Sequence, residues 1–407
     1  MDEPVSGAAV RRPALIFIFV TVLLDMLALG MMIPVLPKLV VAFQAGDSAA
    51  AAETFGLFGT VWALMQFVCS PIQGALSDRF GRRPVILLSN LGLGLDYVLM
   101  ALAPNLGVLL IGRVISGICA ASISTSFAYI ADVMPPDKRA GGFGIVGTAF
   151  GVGFVLGPAV GGLIGGIDLR LPFWGAAGLS LLNFLYGLLI LPESLPIERR
   201  VPFAWRRANP VGSLILLRAH RRLLGMAGVS FLQNLAHIAL PSVFVLYASY
   251  RYGWDERAVG LALAAVGVCS AIVQGGLVRP IVARAGERRA MLIGLGFGAL
   301  GFAIYGAAPT GALFCIGVPV MALWGLTGPS IQALMTRRVS PSEQGRLQGA
   351  LSSLQGVAGL LGPGLFTLTF ARAIGAGGSW QLPGAPFLLA ALLLAAGMIA
   401  GARAARD

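Results

Sequence analysis

Three ionisable residues sit inside long apolar runs, where they could carry proton or ion-pair chemistry: Asp25, Asp96 and Arg113. Asp25 stands in L-L-D-M-L-A-L-G-M-M-I-P-V-L-P, the twelfth of about 22 residues and so ~17 Å along a helix. A charge near mid-bilayer costs ~2.5–3.5 kcal/mol on insertion scales, so it is rarely idle. A carboxyl group there can take up and release a proton as water reaches it from either side. The alternative is a structural acid satisfied by backbone or hydroxyl groups. Arg113, in I-G-R-V-I-S-G, lies ~10 Å from the outer end of its run. A guanidinium cannot shed its charge, so it must face the protein interior and find an acceptor. Asp25 is the most economical partner. Asp96, in L-G-L-D-Y, is a second candidate for proton coupling, with a hydrogen-bonding or packing acid as its alternative.

A second constellation is the short loop Q-G-A-L-S-D-R-F-G-R-R, Gln73 to Arg83. Topology alone would explain Arg79, Arg82 and Arg83, because arginines in short loops anchor one side of a membrane protein. It leaves Asp78 and Gly81 unexplained. Asp132, in I-A-D-V-M-P-P-D-K-R, is an acid at the same side of the chain, as is Asp137. Both also fit a solvated helix end.

These residues need elements that cross a bilayer. The chain has 407 residues, 57% of them hydrophobic and only 11% charged, where a soluble protein carries about a quarter charged. Apolar runs of about 20 residues, the length of a spanning helix, recur throughout. They predict spans at roughly 14–35, 55–75, 84–104, 107–130, 143–166, 172–192, 223–249, 257–280, 290–308, 311–335, 347–371 and 384–402. The net charge of +12 does not point to nucleic acid, because the basic residues are sorted by side. Counted over alternate loops, 23 Lys and Arg fall on one side and 5 on the other, with Arg113 inside a span. That bias puts both termini and the central loop in the cytoplasm of a cell bounded by an inner (plasma) membrane. Cys69, Cys119, Cys269 and Cys315 all fall in spans and read as small buried hydrophobes. No cofactor or metal is expected.

The stretch 193–222 is the one long polar segment, and it divides the chain into 1–192 and 223–407, six spans each. The halves look like repeats. Gly81 and Gly286, Gly144 and Gly349, Gly151 and Gly356, and the pairs Gly157-Pro158 and Gly362-Pro363 all keep an offset of 205. At that offset Asp25 corresponds to Ser230, Asp78 to Ala283, Asp96 to Gly301, Arg113 to Val318 and Asp132 to Arg337. The intramembrane charges therefore belong to the first half. Parallel six-span repeats with substrate bound between them are a recurrent transporter architecture.

The loop pattern G-x-x-x-D-R-x-G-R-R resembles the loop 2–3 signature of the major facilitator superfamily. R-x-x-x-G at 113–117 resembles the superfamily's span 4 motif, to which proton coupling is attributed. G-x-x-x-G-P-x-x-G-G, with Gly153, Gly157, Pro158, Gly161 and Gly162, resembles the antiporter signature of its drug/proton exporters. Together with L-L-D-M-L-A-L-G and S-D-R-F-G-R-R-P-V-I-L-L-S-N-L-G-L-G-L-D-Y, these stretches look like the twelve-span tetracycline/proton antiporters. The resemblance covers the first half and thins to patches in the second. It implies an all-α membrane protein of two six-helix bundles, and export of a small amphipathic compound in exchange for protons. It further implies a latch in which Asp132 meets the loop arginines in the outward-facing state. Where those transporters carry a histidine in span 8 and an acid in span 9, residues linked to coupling or metal–drug recognition, this chain has Ser270 and Gly298.

Polar residues within spans that could face a cavity are Gln66, Ser122, Ser124, Ser126, Asn183, Gln233, Asn234, His237, Gln274, Gln332 and Gln355. Gln66, Gln233, Asn234, His237 and Gln274 are the expected substrate contacts. The expected partners are a small molecule, protons and the lipid bilayer, with the chain working as a monomer. An exporter of an endogenous metabolite or sugar is a competing reading. A non-transporting receptor, from another class, has less reason to keep Asp25 and Arg113 in the membrane. No phosphate-binding loop or catalytic triad is present, which argues against ATP-driven export and against an enzyme.

Overall fold

The computed structural model describes residues 12–120, 122–135, 139–203, 221–340, 343–375 and 381–404. Most of the central loop with His220, the Asp137–Lys138 dipeptide and both chain ends lie outside the described residues. Among the described residues, twelve helices are long and apolar enough to cross a membrane. In order, spans 1 to 6 are Ile16–Phe43, Ser48–Phe80, Arg82–Ala101, Leu106–Val133, Gly141–Gly165 and Leu171–Ile190. Spans 7 to 12 are Leu223–Tyr252, Glu256–Ala285, Glu287–Ala307, Gly311–Thr336, Arg346–Ile374 and Ala385–Ala404. Span 1 runs further than its apolar stretch because the chain turns at 33–35 and resumes as the short helix Leu36–Phe43. Span 2 starts seven residues before its apolar run (48 against 55). There Asp47 caps the helix through the amides of Ala49 and Ala50 (2.9 and 3.0 Å), and an alanine-rich turn carries it inward.

Three more helix starts on the face opposite the arginines share this device, whereas span 6 starts after Arg170 without a side-chain cap. Asn105 accepts from the Val108 amide at 3.1 Å, Asp255 from Ala258 at 2.8 Å, and Thr310 from Leu313 at 3.4 Å. Asn105 and Thr310 are themselves 205 apart, so the repeat extends to its caps.

The repeat governs packing. In the first half span 1 packs on spans 5 and 6, and span 3 on spans 4 and 6. In the second, span 7 packs on spans 11 and 12, and span 9 on spans 10 and 12. These are the same contacts six spans later, giving two pseudo-repeated six-helix bundles. The second bundle is packed at its outer end by aromatic rings. Tyr305 and Phe314 stack at 4.0 Å, and the Tyr247 hydroxyl donates to the Tyr305 carbonyl at 2.8 Å.

The bundles meet where span 2 crosses span 11 and where span 5 crosses span 8. Both contacts occupy the halves away from the arginine-rich face, and the span 2–span 11 contact reaches just past the middle, to Phe67 and Gly356. A methyl group on Gly59 would come within 2.8 Å of the Pro363 side chain, and one on Gly162 within 2.9 Å of the Gly260 Cα. Toward the arginine-rich face the same helices diverge. Side chains built on Gly74, Gly141, Gly144, Gly147 or Gly151 would meet nothing within 4 Å, and neither would those on Gly275 and Gly276. The space between the bundles is thus open on the arginine-rich face and shut on the other.

The glycines of span 5 do two jobs in this closure. Gly153, Gly157 and Gly161 face span 1, and a methyl on Gly157 would lie 2.7 Å from the Gly30 Cα. Gly162 faces span 8 of the other bundle. Backbone has no way to give, so overpacking here costs about 1–3 kcal/mol or more. Gly157→Leu is expected to lower the thermal midpoint of the purified protein by several degrees. Gly151→Leu, on the open stretch of the same helix, should leave it unchanged. Equal midpoints for the two variants would show that the span 1 contact is not tight.

Candidate functional site

In the first bundle the intramembrane charges converge on one buried tyrosine. Tyr97 lies within electrostatic reach of Asp25, Asp96 and Arg113. Asp25 on span 1 is 6% exposed, and its Oδ1 accepts from Asn183 Nδ2 at 2.9 Å. The same nitrogen donates to the Thr21 carbonyl at 3.0 Å. Asn183, expected to line a cavity, is instead fully buried and holds the acid in place. Asp96 on span 3 lies against the Gly112–Ser116 turn of span 4. The Ser116 hydroxyl donates to its Oδ2, while its Oδ1 is buried without a hydrogen-bond partner among the described residues. Arg113 is 8% exposed, stands over the Trp62 ring at 5.4 Å, and interacts electrostatically with Asp96. The electrostatic neighbour of Arg113 is thus Asp96 rather than the expected Asp25, and among the described residues Arg113 and Asp96 stand further apart than an ion pair. Trp62 and Ser116 were not singled out in the sequence. Helical spacing does place Ser116 one turn beyond Gly112, on the side facing span 3.

The loop residues form a clamp at the arginine-rich face. Gly81 adopts φ 107°, ψ 160°, a turn that only glycine makes cheaply, and ends span 2 while starting span 3. Arg82 then reaches both acids: Nη1 to Asp78 Oδ1 at 2.6 Å and Nε to Asp132 Oδ2 at 3.0 Å. Its Nη1 also donates to the Ser77 hydroxyl at 2.6 Å. Arg83 donates to the Leu188 carbonyl at 2.7 Å, and Arg79 lies over Phe80. The resemblance assigns this latch to the outward-facing state; here it is formed while the mouth on the arginine-rich face stands open. Glu193, which the sequence reading passed over, completes the clamp. Its carboxylate accepts from the amides of Arg82 (2.8 Å), Arg83 (3.3 Å), Ser194 and Leu195 (both 3.0 Å). It therefore caps span 3 while tying the start of the central loop to it. A signal was present: Glu193 is an acid directly after span 6, in L-P-E-S.

The second bundle supplies a face of different chemistry. Span 8 passes through a π-helical turn at Val273–Leu277 and span 10 through a 3₁₀ turn at Leu323–Leu326, and the two irregular turns touch. Such turns recur at functional sites. Gln274 belongs to the first and packs against Gly325 of the second. A methyl group on Gly328 would lie 3.7 Å from Nε2 of Gln233 on span 7. His237, one turn on, is exposed yet lies beside Trp324, with ring centroids 5.5 Å apart and planes tilted by 45°. Gln233 Oε1 and Trp324 Nε1 are buried without hydrogen-bond partners among the described residues. The structure thus groups Gln233, His237 and Gln274 around Trp324. Of the other expected contacts, Gln66 is half-buried on span 2, and Asn234 hydrogen-bonds Ser230 at 3.5 Å. Trp324 also accounts for Gly298, since a methyl there would lie 2.8 Å from its ring.

On the shut face one ion pair joins the bundles. Lys38 Nζ, on the extension of span 1, lies 3.0 Å from Glu256 Oε1 at the start of span 8. It also donates to the Trp254 carbonyl at 2.9 Å.

Residues 18–363 match the family model described as the Major Facilitator Superfamily. The chain belongs to this superfamily. Among members of the Major Facilitator Superfamily, it is 38% identical over 358 residues to the tetracycline resistance protein, class C, of Escherichia coli, covering 88% of this chain and 90% of that one. The class G protein of Vibrio anguillarum is 35% identical over 372 residues, covering 91% and 93%. The crystal structure of the human organic anion transporter MFSD10 (TETRAN) superposes with a TM-score of 0.70 at 25% identity, over 96% of this chain and 99% of that one. The protein is a multi-pass membrane transporter of this superfamily, similar to the tetracycline resistance proteins.

Removing the carboxylate that caps span 3 tests the clamp. Glu193→Ala leaves the amides of Arg82 and Arg83 without their acceptor, at a cost of about 1 kcal/mol. We expect a lower thermal midpoint and faster proteolysis after residue 193, with membrane insertion intact. An unchanged digestion pattern would detach the central loop from the clamp.

Proposed function

We propose that the protein exports a small amphipathic, tetracycline-like compound across the inner membrane in exchange for protons, by alternating access. The observation that carries the reading is the buried Asp25–Asp96–Arg113 group around Tyr97, in a chain similar to tetracycline resistance proteins. Buried intramembrane charges mark proton and ion pathways. Asp25 and Asp96 take up the proton; Arg113 holds them ionised until the proton arrives. Asn183 and Ser116 position the two carboxyl groups.

The cycle runs between two mouths. With the cytoplasmic mouth open, substrate enters between the bundles and meets Gln233, His237, Gln274 and Trp324. An aromatic face with unspent donors and acceptors suits a flat, polar-edged molecule. Lys38–Glu256 and the span 5–span 8 glycine contact keep the outer mouth shut. Opening outward breaks both, and closes the cytoplasmic mouth beside the Asp78–Arg82–Asp132 clamp. The proton drives the cycle only through its different affinity for the two states. With no acid at the position of Gly298, the second bundle recognises substrate without carrying the proton.

Two measurements decide this reading. A drug panel in a pump-deficient strain should show lowered accumulation of at least one amphipathic compound, restored by an uncoupler. A panel in which nothing changes removes the drug-export reading and leaves a metabolite as cargo. In proteoliposomes with an imposed pH gradient and tetracycline as probe, Asp25→Asn should lose uphill transport by at least ~100-fold while keeping downhill exchange. Asp96→Asn should behave alike if both acids carry the proton. Uphill accumulation by Asp25→Asn would make that acid structural.

A further inference from the structure

The repeat that relates the bundles carries an ion pair with exchanged charges. At the offset of 205, Arg82 and Asp132 of the first bundle correspond to Glu287 and Arg337 of the second. These two are paired as well. Arg337 Nη2 lies 2.5 Å from Glu287 Oε1, and Nη1 3.3 Å from Oε2. Each pair joins the start of one span, 3 or 9, to the end of the next, 4 or 10, on the arginine-rich face. Each start follows a glycine at positive φ, Gly81 at 107° and Gly286 at 77°. The geometry is kept and the polarity is reversed.

A pair that only clamps its own bundle works with either polarity. Polarity matters for what the bundles present to each other. Toward this face span 4 packs on span 3 and also on spans 1, 2 and 5, which border the space between the bundles, while the equivalent half of span 10 packs on span 9 and also on span 7. The ends of spans 4 and 10 therefore stand on either side of the open mouth. Had the repeat kept its charges, two acids would meet there on closing. With the charges exchanged, an acid meets an arginine. Accessibility agrees: the side chains of Arg82, Asp132 and Glu287 are 10%, 21% and 21% exposed, while that of Arg337 is 70% exposed. Arg337 is held by one carboxylate and has a long, free reach.

We propose that Glu287 and Arg337 are positioning residues of the transport cycle, and that Arg337 engages Asp132 across the cytoplasmic mouth when it closes. This rests on the alternating-access reading above. Glu287 holds Arg337 in the open state and so sets the balance between the two.

The test exchanges the second pair. E287R/R337E preserves the pair within its bundle but sets an acid opposite Asp132. Mouth closure is read without substrate or proton gradient, in the full-length protein with its four native cysteines replaced and G147C introduced on the open stretch of span 5. Maleimide reaction at that site reports the open mouth. The exchange variant should lower the closed fraction relative to the parent by about five-fold, equivalent to ~1 kcal/mol. R337K should match the parent. An exchange variant that closes as well as the parent overturns the proposal and leaves a clamp internal to the second bundle. If the exchange variant fails to fold, R337Q carries the decision: a lowered closed fraction supports the cross-mouth pair, and a parental one overturns it. Because labelling needs no cargo, the drug panel can fail while this measurement succeeds.

Discussion

The close approach of backbone between span 5 and its two neighbours is the constraint on which the rest depends. In lipid there is little hydrophobic gain from joining helices, so contact must come from close packing. Gly157 against Gly30, and Gly162 against Gly260, bring main chains together where any side chain would hold them apart. That contact ties the bundles on one face and lets them splay on the other. The open mouth and the Lys38–Glu256 bridge both follow from it.

Charge placement follows a second rule. Among the described residues the buried intramembrane charges lie in the first bundle beside polar or aromatic groups, and the two bundles differ in this respect. The first invests in Asp25, Asp96 and Arg113, with Asn183, Ser116 and Trp62 as their supports. The second has Ser230, Gly301 and Val318 at the equivalent positions and spends its polar groups on amides, one imidazole and one indole. On the proposed reading, proton chemistry and substrate recognition are given to opposite walls of one space, and coupling between them runs through the relative motion of the bundles rather than through a shared residue.

At the arginine-rich face the same helix junction is built twice. In the first bundle Glu193 and two acids surround Arg82, so the junction is held from three directions. In the second, Ala283 replaces the aspartate and one pair remains, with its arginine exposed. On the proposed reading the first junction is the fixed side of the gate and the second, held by one pair, is the side that trades partners.

The residues themselves determined the fold class and named much of the candidate site. Twelve apolar runs admit no structure but spanning helices, because backbone polar groups must be satisfied within the segment. Motif spacing placed Asp25, Asp96, Arg113 and the loop clamp, since local sequence sets which groups share a loop or a helix face. Tertiary structure decided the partners. Asn183 and Asp25 are 158 residues apart, Glu193 and Arg82 are 111 apart, and Lys38 reaches across to the other bundle. Such contacts depend on how helices cross, which hydrophobic periodicity does not encode. The offset of 205 already held Glu287 opposite Arg82, but charges of opposite sign at equivalent positions look like a broken repeat until the geometry shows each pair closed. Which face is open was not in the sequence at all, because both states of a rocking transporter use the same residues and differ only in which halves of the helices touch.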